Sequence, residues 1–466
     1  MITVSNTITV KDPPPELLHY CKRHLVLNNP EYAQKLRMHL WLGNTPQHLY
    51  LYEWRGDALV LPYGTLRDVL KICTEIGVPE SDIRMDFVTP ERIDYGCKLP
   101  LYDYQQTAVD QAYWGQYGIL QSPAGSGKTQ MAIELIARHG KRALFLTHTR
   151  DLLTQSKDRA KQYMGEALLG TITEGKVNIG KGITFATVQT MCNLDLAQYK
   201  DMWDVIIVDE CHRVAGTPTA VSQFSKVLNS LAARHKYGLS ATVHRSDGLI
   251  QSTYALLGEV IYTVPTEAVA DKIMKVGVLP IPTGVGISRA CLNTDGTLNY
   301  TKLINYLCQS EERTDLIVKH LVQNRRNSSL ILSDRLEHLS NIIDALPLPM
   351  QEYAVMVSGK MTTKKGKAER EQAIADMRTG KKRYLFATYS LAKEGLDIPC
   401  LERLYMATPQ KDYAVITQSI GRIARTSEGK ADPICYDFVD DIQYLVKAYK
   451  KRCTTYRKNG CYFVER

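Results

Sequence analysis

The chain has 466 residues, 44% hydrophobic and 23% charged, an ordinary globular composition with room for two or three domains and none of the bias of a fibre or a disordered polymer. Its start, "MITVSNTITVKDPPP", lacks a basic segment followed by an apolar run, and no window approaches the ~20 apolar residues of a membrane span. The expectation is a cytoplasmic protein with no membrane partner. Eleven cysteines without a C-x-x-C argue against zinc modules and disulfide frameworks. The net charge of +9 is uneven: Lys447 to Arg466 holds seven Lys/Arg against one Glu, whereas residues 1 to 98 hold eleven against twelve acids. A polyanion is therefore an expected partner, and the tail one candidate contact.

Along the chain, "PPELLHYCKRHL" reads as a helix and "QHLYLYEWRGDALVLPYG" as a β-hairpin turning at Gly56-Asp57, which makes residues 1–97 a small, separate α+β module. From about Lys98 onward, short β-branched runs alternate with helical patterns: "YGILQS", "RALFLT", "GITFAT", "DVIIVDE", "KYGLSAT", then "SLILSD", "RYLFAT" and "LERLYMAT". Strands that are apolar throughout, interleaved with helices, predict parallel sheets covered on both faces. A change of rhythm at "YTVPTEAVADK" divides them into α/β domains at 98–268 and 269–446, followed by a basic C-terminal helix or tail at 447–466.

The stretch "QSPAGSGKTQ", Gln121 to Gln130, has the spacing of a phosphate-binding loop with Ser122 where the usual pattern opens on glycine. Backbone N–H groups of Gly125, Ser126 and Gly127 can line an anion nest at a helix N-terminus, with Lys128 reaching the β/γ-phosphates and Thr129 the Mg²⁺. The alternative is a Gly/Ser-rich turn that happens to contain a lysine. "VIIVDECH" then leaves two adjacent carboxylates at the end of a buried strand, where parallel sheets bind ligands. Asp209 would hold Mg²⁺ and Glu210 would orient and deprotonate an attacking water; a solvated loop is the bland reading. In "QSIGRIAR", Arg422 and Arg425 stand at i and i+3, on one face if the segment is helical, where two guanidinium forks can neutralise charge on a γ-phosphate.

These motifs, in this order, resemble helicase superfamily two, the ATP-driven nucleic-acid motors with two RecA-like domains, over roughly residues 98–446. In that family the first loop position is commonly Ala or Ser, so "SPAGSGKT", with Ser122 and Ala124, looks like a helicase loop. The resemblance implies the α/β fold class: two tandem RecA-like parallel-sheet domains after a small α+β N-terminal domain. It implies ATP and Mg²⁺ as cofactors, with Gln105 of "LPLYDYQQTAV" at the adenine and Asp397 of "ATYSLAKEGLDIP" at the nucleotide. Tyr102 replaces that motif's usual arginine. Gln418, Arg422 and Arg425 are implied to complete catalysis, and His212, Ser240 and Thr242 to couple it to movement. Nucleic-acid contacts are implied for Thr147, Thr149, Arg150, Thr187, Gln189, Arg245, Ser333, Arg335 and Thr388, although each threonine alone reads as a local cap. Arg245 and Asp247 look like the Arg-x-Asp element of the XPB-like branch, and the long DEAD-box adenine motif is absent.

The style is that of UvsW-, RecG- and XPB-like motors, which remodel branched or duplex DNA in recombination, repair or replication. The implied protein is a monomeric ATP-dependent helicase or translocase that binds DNA with low sequence specificity. An RNA helicase, and an ATP-gated clamp that does not translocate, are the alternatives. The tail "KAYKKRCTTYRKNGCYF" suits phosphate contact and base stacking, or else Leu445, Tyr449, Cys453 and Tyr456 pack it onto the second domain and leave a solvated basic face.

Overall fold

The computed structural model describes the chain except residues 89, 90, 98, 124, 216, 242–248, 270–272, 360, 362, 394, 395, 397 and 466, so the expectations for Ala124, Thr242, Arg245, Asp247 and Asp397 lie outside the described residues. Two compact units form: Met1–Pro123 with Gly127–Pro265, and Thr266–Arg466 with Ala124–Ser126.

In the first unit, the N-terminal sheet runs Glu53–Arg55, Ala58–Pro62, Thr7–Lys11, Ile2–Val4, Ile83–Met85. Arg55 pairs with Ala58, leaving Gly56-Asp57 as a two-residue turn, and Gly56 takes a left-handed φ of 63°. That sign matches the right-handed twist of a tight hairpin. Helices Pro15–His24 and Leu66–Glu75 bury Leu17, Cys21, Val69 and Cys73 beneath it. This core is not the module's own. Ile8, Leu59, Leu61 and Tyr63 join one apolar cluster with Tyr117, Ala215, Val221, Leu249 and Ala255, so residues 1–97 share a core with the helices and connecting segments that flank the parallel sheet. A fully buried Lys236 reinforces the join, its ammonium donating to Leu228 O at 2.7 Å and Asn6 O at 3.3 Å.

The approach is closest at Gly64, where a Cβ would lie 2.4 Å from the Gly258 amide nitrogen and 2.6 Å from Ala255 O. Backbone cannot retreat as a side chain can, so Gly64→Ala is expected to cost about 2 kcal/mol or more of stability. Urea unfolding checks this; a midpoint equal to that of the parent would mean the junction is looser than described.

The unit's main sheet is ordered Lys176–Asn178, Leu169–Thr173, Ile183–Thr187, Ala143–Thr147, Val205–Val208, His235–Ser240, Gly118–Gln121, Val260–Thr263. All neighbours are parallel except the Lys176–Asn178 edge. The four central runs, from Ile183 to Ser240 in that order, are buried almost throughout, as strands covered on both faces must be.

The second unit carries seven parallel strands, Ala354–Val357, Tyr384–Thr388, Ser329–Ser333, Arg403–Met406, Ile434–Val439, Gly277–Pro282, Tyr462–Phe463. Gly277–Pro282 holds two prolines inside a sheet. Gly277 and Thr283 donate to Pro433 O and Val439 O, so the even-numbered positions face the other neighbour, which pairs only with Gly277 and Val278. Pro280 and Pro282 thus lack an N–H where the sheet has already run out of partners.

The chain's last helix, Gln443–Lys458, buries Leu445, Ala448, Arg452, Thr455 and Tyr456. Arg452 donates from Nε and Nη2 to both oxygens of Asp437, at 2.8 and 2.9 Å, and the Tyr456 hydroxyl adds a bond of 2.7 Å to that carboxylate. Lys447, Lys450, Lys451, Arg457 and Lys458 remain exposed, so the helix has a packed face and a solvated basic one.

Candidate functional site

Three chain segments reach one edge of the first unit's main sheet side by side. The phosphate-loop candidate follows strand Gly118–Gln121, the "LSAT" segment ends strand His235–Ser240 beside it, and Asp209-Glu210 leave the next strand, Val205–Val208. Ser122 N–H donates to Ser240 O at 2.9 Å, and Asp209 N–H to Leu146 O at 2.9 Å, so sheet hydrogen bonding continues into the site and fixes its register.

The loop has the backbone that its sequence demands. Gly125 and Gly127 hold φ of 84° and 82°, left-handed values costly for other residues, and helix Lys128–His139 starts directly behind them. The Lys128 ammonium donates to Ser122 O and Pro123 O at 3.3 Å each. These are weak neutral acceptors, and a phosphate would compete with them easily. Thr129 stands in the first helical turn. Gln105 is buried; its Oε1 accepts from Tyr102 N–H at 3.0 Å, and its amide nitrogen would be 2.3 Å from a Cβ on Gly127. That glutamine closes the N-terminus of helix Asp103–Gly115 and lies against the loop.

Burial pushes the Asp209 carboxyl up to about 7, Glu210's charge adds to the rise, and Lys128 opposes it. A buried carboxyl forced toward neutrality beside a second carboxylate, with a lysine near, is short of positive charge. The donor set of Asp209 and the Thr129 hydroxyl is hard oxygen, which fits Mg²⁺. Glu210 adopts a left-handed φ of 48°, and its N–H donates to Asp209 Oδ1 at 3.0 Å. Strain of that kind persists only where surrounding structure enforces it. His212 Nδ1 lies 3.0 Å from Ser240 Oγ and 3.3 Å from Glu210 Oε2, so one imidazole touches both the carboxylate and the end of the neighbouring strand.

The residues expected at nucleic acid divide. Thr147 and Ser333 are fully buried: the Thr147 hydroxyl donates to Thr149 O at 3.0 Å, and Ser333 Oγ accepts from Arg335 N–H and meets His338 Nδ1, both at 3.1 Å. Their hydroxyls are turned inside and bonded there. Thr149 and Thr187 cap helices Arg150–Met164 and Val188–Cys192. Arg150 is ion-paired with Glu174, Thr388 Oγ1 meets Ser390 Oγ at 3.0 Å, and Arg335 Nε donates to Asn305 Oδ1 at 2.9 Å. Gln189 meets His148 Nδ1 at 3.3 Å. His148 was not singled out by sequence. Burial, then the nearby charges of Arg213 and His212, depress its pKa and favour the neutral imidazole.

In the second unit, Gln418 and Arg422 lie on helix Tyr413–Ile423, and Ala424 is its C-cap. Arg425 therefore lies past the helix end, bridged to Ile273, and the shared helix face expected for the two arginines is not formed. Arg422 donates from Nε to Ala392 O at 2.9 Å and from Nη1 to Leu396 O at 3.2 Å. Gln418 Oε1 is buried with no partner among the described residues.

The chain matches two family models: "Type III restriction enzyme, res subunit" over residues 98–245 and "Helicase conserved C-terminal domain" over 312–427. Among curated proteins it is 27% identical to the probable helicase D10 of Escherichia phage T5, over 73% of this chain and 72% of that one. It is 26% identical to the putative ATP-dependent RNA helicase L396 of Acanthamoeba polyphaga mimivirus, over 88% and 76%. With the DNA 3'-5' translocase XPB2 of Sulfurisphaera tokodaii the identity is 23%, over 72% and 80%.

Proposed function

The chain belongs to helicase superfamily two, a nucleic-acid-dependent ATPase with two RecA-like domains, and on that premise we propose that it is a DNA helicase or translocase remodelling branched or duplex DNA in recombination, repair or replication. The observation that carries the reading is the His212 contact to both Glu210 and Ser240, because it joins the hydrolytic carboxylate to the strand end that must report the nucleotide's state. Lys128 and the loop amides would hold the phosphates, and Thr129 with Asp209 would hold Mg²⁺, whose charge offsets theirs when bound. Glu210 would take the water's proton. His212 and Ser240 would pass the change to the polar positions Thr149, Arg150, Thr187 and Gln189.

Contacts to phosphate and sugar would leave sequence preference low. Named relatives point to both sugars, and the missing DEAD-box adenine motif favours DNA over an RNA substrate. The protein would work as a cytoplasmic monomer; no helix among the described residues is long and apolar enough to cross a membrane. A strand-displacement and branch-migration panel of forks, Holliday junctions, plain duplex and RNA duplex at stated salt tests the reading. Activity on forks or junctions supports it; activity confined to RNA duplex, or ATP turnover without strand movement on any substrate, overturns it.

The solvated face of the last helix would supply salt-sensitive affinity. Replacing Lys450, Lys451, Arg457 and Lys458 with glutamine is expected to flatten the dependence of log affinity on log salt, by roughly 0.7 to 0.9 for each phosphate that is no longer neutralised. All four are exposed, so the melting temperature should stay within a degree or two. An unchanged salt slope would leave the helix with packing alone.

A further inference from the structure

One surface of the N-terminal module has no part in the ATP site. Helix Pro30–Arg37 buries none of its residues, and it is followed by exposed Leu40 and Trp41, the indole 89% open. Exposed Leu36 and Met38 extend the same apolar surface. The loop is nevertheless held. Met38, His39 and Leu40 N–H groups return to the carbonyls of Gln34, Leu36 and Lys35, with His39 in a left-handed φ of 50°. Lys35 Nζ donates to Thr45 Oγ1 at 2.7 Å, and Asn29 Nδ2 to Pro46 O at 2.8 Å, closing the loop at its far end. A Cβ on Gly43 would lie 2.8 Å from the indole Cζ3, so the ring rests on the loop backbone with its outer side free. Charge is one-sided here. No Asp or Glu occurs between Tyr32 and Tyr52, whereas Lys35, Arg37, His39 and His48 do, in a module whose acids otherwise outnumber its bases. Lys35 is ion-paired with Glu31 at 2.8 Å, which leaves Arg37, among the described residues, as the uncompensated charge beside Trp41.

A fixed, exposed aromatic plane beside the Arg37 guanidinium suits a nucleobase next to a phosphate. We propose that the loop from Met38 to Gln47 binds unpaired DNA, with Trp41 stacking on a base exposed at a junction or on a single strand and Arg37 and His39 meeting its phosphates. This rests on the nucleic-acid motor reading above. It is tested with the full chain as parent, Trp41→Ala, Trp41→Phe and Arg37→Gln, measuring affinity for a fork carrying 2-aminopurine at the branch, single-stranded DNA, plain duplex and single-stranded RNA. Trp41→Ala is expected to weaken fork and single-strand binding about tenfold and duplex binding less than about twofold, with Trp41→Phe retaining most of the affinity. Basal ATP turnover and melting temperature should be unchanged, and Arg37→Gln should lower the salt slope by roughly 0.7. Unchanged fork affinity, an equal loss on duplex, a larger loss on RNA than on DNA, or an effect on self-association alone would each overturn the assignment. A parent whose ATPase ignores every nucleic acid would fail the motor reading, and the 2-aminopurine signal would still decide the Trp41 contact.

Discussion

Glu210→Gln is expected to lower ATP turnover by at least ~10²-fold while nucleotide affinity stays near that of the parent. The amide keeps the shape of the carboxylate and can still accept from its neighbours, but it cannot take a proton from water. His212 lies 3.3 Å from Glu210 Oε2, so the substitution also weakens an interaction whose other end is Ser240. Removing a negative charge beside Asp209 relieves part of what raises that carboxyl, so Asp209 ionises more readily, which offsets part of the attraction for a divalent cation lost with Glu210. Turnover therefore falls while binding does not. Lys128→Ala should lose both, because the ammonium contributes to ground-state binding as well as to chemistry. The separation is read by titrating a fluorescent ATP analogue and measuring phosphate release on one preparation. A Glu210→Gln protein that turns over near-normally would remove the residue from its role, and one that loses nucleotide binding would make it a binding group.

Legibility in the sequence followed how local each signal was. The loop glycines, Lys128, and the strand ending at Asp209-Glu210 could be read because conformation and chemistry are set within a few residues. The strand Gly277–Pro282 escaped because its prolines argue against a central strand, and only the early end of its neighbour at Tyr462–Phe463 makes them tolerable. Burial of Thr147 and Ser333 was equally hidden, since a threonine or serine at a strand end reads the same whether its hydroxyl faces solvent or a carbonyl across the sheet. The N-terminal module looked separate because its composition changes near Lys98, whereas the shared core through Tyr63, Tyr117 and Ala255 depends on packing between residues far apart in sequence. Deleting residues 1–97 would therefore bare apolar surface of the motor unit, and point variants such as Trp41→Ala probe its recognition role more cleanly. The last helix shows both outcomes at once. Its apolar spacing and its basic face were both legible, but Arg452, counted with the basic residues, is bound to Asp437 inside.

Arg422→Ala and Arg425→Ala are each expected to reduce nucleic-acid-stimulated ATP turnover by roughly 10³-fold or more, the scale of arginine fingers in other nucleotide hydrolases, with nucleotide-free DNA binding largely kept. The structure separates the two variants in a way the i, i+3 spacing did not. Arg422 holds the carbonyls of Ala392 and Leu396, so truncating it leaves two acceptors short of a donor and should also lower the stability of the second unit by about 1–3 kcal/mol. Arg425 stands beyond the end of helix Tyr413–Ile423, and its truncation leaves those carbonyls paired, so the stability cost of losing that pairing is expected for Arg422→Ala alone. Arg422→Lys refines the test. It keeps a charge that can reach a single acceptor but cannot reproduce the planar fork, so stability should recover in part while turnover does not. If both alanine variants lose DNA binding and keep full turnover, neither arginine acts on the phosphate, and the ATP-gated clamp becomes the better account of the second unit.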